Sequence, residues 1–180
     1  MAVKSRTKYL GITLVMILMT WSMAVTGAQA WWNEQWQLRK KIALDTTTAG
    51  ADIQQNLIDF PVLIRLHSGN FDFTKALESG EDIRFVGADG TTVLKHHIEL
   101  YDSLDEIALI WVKVPQVTAA NNQGHLWIYY GNEEAAGGED PKNTFDVQYQ
   151  GVFHFNEFEG MPQDQSTYGM NPSEFTAGLG

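Results

Sequence analysis

The chain has 180 residues, a net charge of −10 and no cysteine. These facts exclude disulfide-knotted scaffolds and thiolate zinc sites. So acidic a balance also argues against nucleic acid and anionic membrane surfaces as partners, because phosphate recognition needs clustered Lys and Arg.

Lys4, Arg6 and Lys8 open the chain, an uncharged apolar run follows from Leu10 to Val25, and Ala28-Gln29-Ala30 closes the segment. This tripartite pattern reads as a signal peptide over residues 1–30. Ala28 and Ala30 stand before the cleavage point and Trp31 becomes the new N-terminus. Cleavage removes three basic residues and no acidic ones, taking the charge from −10 to −13. The protein is therefore expected in the periplasm, at the cell surface or outside the cell. No stretch of the mature chain is apolar for long enough to cross a bilayer as a helix.

Trp31, Trp32 and Trp36 begin the mature chain and are expected to plug the open end of a sandwich. Gln37–Asp45 alternates and carries lysines, as an edge strand does. Asp59–His67 alternates cleanly, and Pro61 within it points to an edge or a strand start. Phe71–Gly80 is the one helix-like piece, with Asp72 as a cap and Gly80 as a stop. Asp82–Val86 and Val93–Tyr101 flank Asp89-Gly90, which predicts a hairpin.

Glu106–Pro115 and Gly124–Gly131 are the most apolar stretches after the leader, rich in β-branched and aromatic residues. They are expected to pair as buried strands. Ala108, Ile110, Val112 and Val114 share one face, and Leu126, Ile128 and Tyr130 share another; these are the core faces. The opposite faces carry Trp111, and His125, Trp127 and Tyr129. Those four form the candidate ligand surface, since flat rings beside polar groups suit sugar stacking. Burial under the N-terminal tryptophans is the competing role. Residues 133–144 are rich in Gly, Ala and acid and read as a linker. Phe145–Glu157 reads as β again.

Five segments in order, DFPVLIRL, GEDIRFVGADG, HHIELYD, IWVKVP and IYYGN, resemble a bacterial and archaeal domain of unknown function from exported multidomain proteins. The likeness covers about residues 32–132 and implies a β-sandwich with no assigned catalytic residues. Residues 145–180, with GVFHFNE and DQSTYGMN, resemble the opening of a concanavalin-A-like (laminin-G-like) sandwich, from whose usual spacing Gln165 departs. Some relatives of the first domain continue into a MotA/TolQ/ExbB-type channel segment. The expected organisation is therefore a signal peptide (1–30), a sandwich domain (31–132), a linker (133–144) and an incomplete second sandwich (145–180).

Catalytic motifs are scarce. His96 and His97 are adjacent and point to opposite faces of a strand, and no histidine pair has zinc-motif spacing. Glu157 and Glu159 share a strand face, as glycosidase carboxylates must, but lack the Glu-x-Asp-x-x-Glu pattern of concanavalin-like glucanases. Nucleophile elbow, P-loop and dinucleotide motifs are absent. The fold expected is all-β: an antiparallel, jelly-roll-like sandwich with one short helix. The function expected is an exported, non-enzymatic module for recognition or scaffolding at the cell envelope, binding glycan or envelope proteins, with no cofactor and no metal. The alternatives are the periplasmic part of a proton-channel assembly and a truncated glycoside hydrolase.

Overall fold

The structure, a computed structural model, describes residues 31–157 and 159–173. The expected signal peptide, with Ala28 and Ala30, lies outside the described residues. The strands are β1 (Leu38–Leu44), β2 (Leu57–His67), β3 (Arg84–Val86), β4 (Val93–Leu94), β5 (His96–Asp102), β6 (Ile107–Val117) and β7 (Gly124–Tyr130), and α1 spans Pro141–Thr144. Two antiparallel sheets result, one ordered β1-β7-β3-β4 and the other β2-β6-β5. One apolar cluster draws on both: Phe85, Leu126 and Ile128 from the first sheet, and Ile64, Ala108, Ile110 and Val112 from the second. The fold is the antiparallel sandwich that the alternation predicts. No helix among the described residues is long and apolar enough to cross a membrane.

The two greasy stretches are both central strands, but they do not pair. β6 lies between β2 and β5, and β7 between β1 and β3. Facing each other across the core buries the aliphatic side of each, at roughly 1.5–3 kcal/mol per large side chain. The parity is as expected: Ala108, Ile110 and Val112 are fully buried, and Leu126, Ile128 and Tyr130 nearly so.

β1 and β2 are edge strands, which suits the lysines of one and Pro61 of the other. Asp59, at φ 50°, swaps the faces of β2 near its start. Leu57 packs against the core while Ile58 turns outward.

Four expectations need correction. Phe71–Gly80 forms only a 3₁₀ turn, Phe73–Lys75, capped by Asp72. Phe71 and Phe73 are drawn into the core against Tyr130 and Tyr101, which leaves no solvent face for a longer helix. The hairpin at Gly90 (φ 74°) joins β3 only to the two residues of β4. Lys95 then carries the chain across to the second sheet, where β5 pairs with β6. Residues 133–144 are no free tether. Ala136 accepts from Arg84, Asp140 donates its N–H to the His96 carbonyl, and Lys95 pairs with Asp140. The described residues from Trp31 onward group as one compact unit. Finally, no strand forms among the described residues after 144. Phe155, at φ 55°, breaks the extended run, and Phe145 packs on Trp111 instead of entering a ladder.

Candidate functional site

The four candidate ligand residues fall on opposite sides of the sandwich. Trp111 sits on the outer face of the β2-β6-β5 sheet, while His125, Trp127 and Tyr129 sit on the outer face of the other. They form no single platform.

The β7 side is already occupied. Tyr129 is fully buried beneath the N-terminal tryptophans, which cover this face and not the open end of the sandwich. Trp31 and Trp32 meet its ring edge-on at 5.4 and 5.7 Å, and its hydroxyl accepts from the Trp32 N–H and from Arg39. The Arg39 guanidinium lies between two indoles, 4.7 Å from the Trp31 ring and 4.5 Å from that of Trp127. A desolvated cation over indole is worth about 1–2 kcal/mol, so a sugar would have to displace it. His125 packs edge-on against Trp127.

On the other face, a β-bulge between Ile98 and Leu100 sets Glu99 apart from the regular ladder. Its carboxylate accepts the indole N–H of Trp111 and meets His154 Nδ1 at 3.2 Å. His154 stacks on His97 at 5.1 Å, and His97 meets Glu139 at 3.3 Å. Burial pushes the His154 pKa down, against the pull of Glu99. The hydrogen bond from His97 holds the Glu139 carboxyl below its usual value. This network pins residues 139–154 to the sheet. His96 and His97 do point to opposite faces, the first into the core against Phe85. Among the described residues no three His, Cys, Asp or Glu side chains gather as a metal site would require.

Beside that network runs a groove of about 800 Å³. Leu44, Ala51 and Ile53 line one wall; Phe145, Tyr149 and Phe153 line the other. Phe60, Pro61, Leu63 and Trp111 form the floor. Phe60 and Leu63 remain 39% and 42% exposed. The lining is mainly apolar; Asp45, Thr46 and His154 supply side-chain polarity. Such a lining suits an apolar group, and Asp45 is the one carboxylate among its residues. Glu157, outside this lining, accepts the Gln163 N–H at 2.7 Å, and that bond lowers its pKa, the opposite of what a general acid needs. Glu159 is exposed.

Of the candidate residues only Trp111 lines the groove. The others in it come from three distant segments, and the sequence signal for them was weak: Phe145, Tyr149 and Phe153 recur every four residues, a spacing that fits no strand.

Fold and groove together define a β-sandwich with a concave apolar groove on its surface. The chain belongs to a family described as a domain of unknown function, DUF2341, which matches residues 79–171. That span runs through residues 133–144 and includes the Phe145–Phe153 wall. No curated protein matches the chain, and no solved structure does.

Proposed function

We propose that this is an exported, non-enzymatic module for recognition or scaffolding at the cell envelope, taking an apolar part of a partner protein into the groove. The observation that carries the reading is the groove itself, about 800 Å³ with Phe60 and Leu63 on its floor. Contiguous apolar surface of this kind marks interaction sites. Export rests on the tripartite leader. A glycan is the weaker ligand, because the groove offers few polar groups and Arg39 already covers a face of Trp127.

The test immobilises the purified chain and passes the exported proteins of the same cell over it. A retained partner should be lost with Leu63→Asp, which puts a charge on the floor while sparing the core. Retention indifferent to that change, or turnover of a polysaccharide by the chain, overturns the reading.

A further inference from the structure

The floor of the groove is also the open edge of a sheet. β2 is an edge strand of eleven residues, and among the described residues its one ladder partner is β6. In an antiparallel strand, the N–H and C=O of one residue point to the same side, and alternate residues point to opposite sides. Lys113 donates its N–H toward β5, so Val112 and Ile110 face β2 and bond to Val62 and Ile64. The odd-numbered residues of β2 therefore face away from the sheet. Three observations agree. Pro61, which has no N–H, is one of them; Asn70 closes the far end by accepting from the His67 N–H; and its side chain donates to the Arg65 carbonyl.

Between Pro61 and Arg65 the edge is bare. The N–H and C=O of Leu63, the C=O of Pro61 and the N–H of Arg65 have no partner among the described residues. Unpaired edges invite another strand, and proteins usually blunt or cover them. Here the Pro61–Leu63 part of the bare stretch lies on the floor of an apolar trough, between the 44–53 and 145–153 walls. A whole second domain would have to bring its edge past those walls, whereas a single extended strand fits between them.

Charge sets its direction. Asp59 and Asp146 stand together at one end of the trough, and the exposed Arg65 at the other. Asp59 and Arg65 make no salt bridge with any described residue. The six steps between them span about 20 Å of strand.

We infer that β2 accepts an added strand from a partner protein: an extended, antiparallel segment of about seven residues, with apolar side chains at alternate positions, an acidic N-terminal end facing Arg65 and a basic C-terminal end facing Asp59. The inference rests on the recognition reading above and specifies how that recognition works.

The probe is the synthetic peptide Glu-Val-Thr-Val-Thr-Val-Lys with blocked ends, titrated into the purified chain by calorimetry, with amide hydrogen exchange read by NMR. Binding should slow exchange at Leu63 and Arg65. The charge-reversed peptide, Lys-Val-Thr-Val-Thr-Val-Glu, should bind about tenfold more weakly, as expected for two rim ion pairs. Leu63→Pro removes an edge N–H, a change the edge already tolerates at Pro61, and should abolish binding. Arg65→Glu should erase the preference between the two peptides. Peptide binding that leaves the Leu63 and Arg65 amides unprotected and survives Leu63→Pro would sink strand addition while leaving a recognition groove. No peptide binding, with a partner protein still retained by the unaltered chain and lost with Leu63→Asp, would do the same. Protection of these amides in the free chain that appears only on dimerisation, or that vanishes on deleting residues 174–180, would give the edge to a second copy or to the chain itself and overturn the proposal.

Discussion

The Asp82 carboxylate accepts the backbone N–H of Gly131 at 2.6 Å, tying the turn that leads into β3 to the residue just after β7. It also accepts from Asn132 and Leu77, and the Asp82 carbonyl accepts the Trp36 indole N–H. The side chain is fully buried. Replacing it with alanine strands three donors. Asp82→Ala should therefore lose about 3 kcal/mol in urea unfolding, and Asp82→Asn less. A loss below about 1 kcal/mol would mean that water reaches those N–H groups.

His96 makes the fold sensitive to acid. Burial pushes its pKa down to about 4, with Arg84 adding to the effect and Glu139 opposing it. In the unfolded chain it titrates near about 6.5. Between those values the unfolded state takes up a proton that the folded state refuses, so stability falls as pH drops from about 6.5 to 4 and is held above that window. The shift corresponds to roughly 3 kcal/mol. His154, also lowered by burial, adds to the slope in the same direction. Urea midpoints between pH 7.5 and 4.5 should show the decline, and His96→Phe should flatten it in part. A slope unchanged in that variant would refute the assignment.

Trp127 serves the fold more than any sugar. Its ring packs against the cluster of Trp36, Val86 and Tyr129 and carries Arg39 at 4.5 Å. Trp127→Ala should cost about 2 kcal/mol through lost packing and cation–π contact. Binding of insoluble polysaccharide should be the same before and after the change. A clear loss of polysaccharide retention in a folded variant would restore this face as a ligand surface.

Asp164 holds the wall of the groove from behind. It accepts the N–H groups of Val152, Ser166 and Met170 and the Ser166 hydroxyl, at 2.7 to 2.9 Å. Asp164→Ala should loosen residues 152–171 without melting the strands. Limited proteolysis should then cut within that segment, while the unfolding midpoint shifts little. Unchanged resistance to protease would show that other contacts hold the wall.

What the sequence disclosed follows from periodicity. Alternation at Ala108–Val114 and Leu126–Tyr130 assigns the core faces without ambiguity, because one wrong step would put every aliphatic side chain in water. Pro61 likewise identifies an edge. Pairing was less legible. Two stretches can be equally apolar because they neighbour each other or because they meet across a core, and alternation alone does not distinguish these. The groove was least visible of all. It joins residues 44–53, 60–63 and 145–153, and only the closed fold brings them together. Nor does any local pattern announce that Arg39 will lie between Trp31 and Trp127.

The register of the first sheet has a temporal consequence. Leu38, at the start of β1, stands opposite Tyr130, at the end of β7. The earliest described strand to leave the ribosome thus has no neighbour until about eighty further residues, from Leu44 to Gly124, have been made. Such distant pairing slows folding and precludes growth from the N-terminus onward. A chain that must wait so long for closure leaves its first strand open to chaperones and proteases until the far end of the sheet arrives.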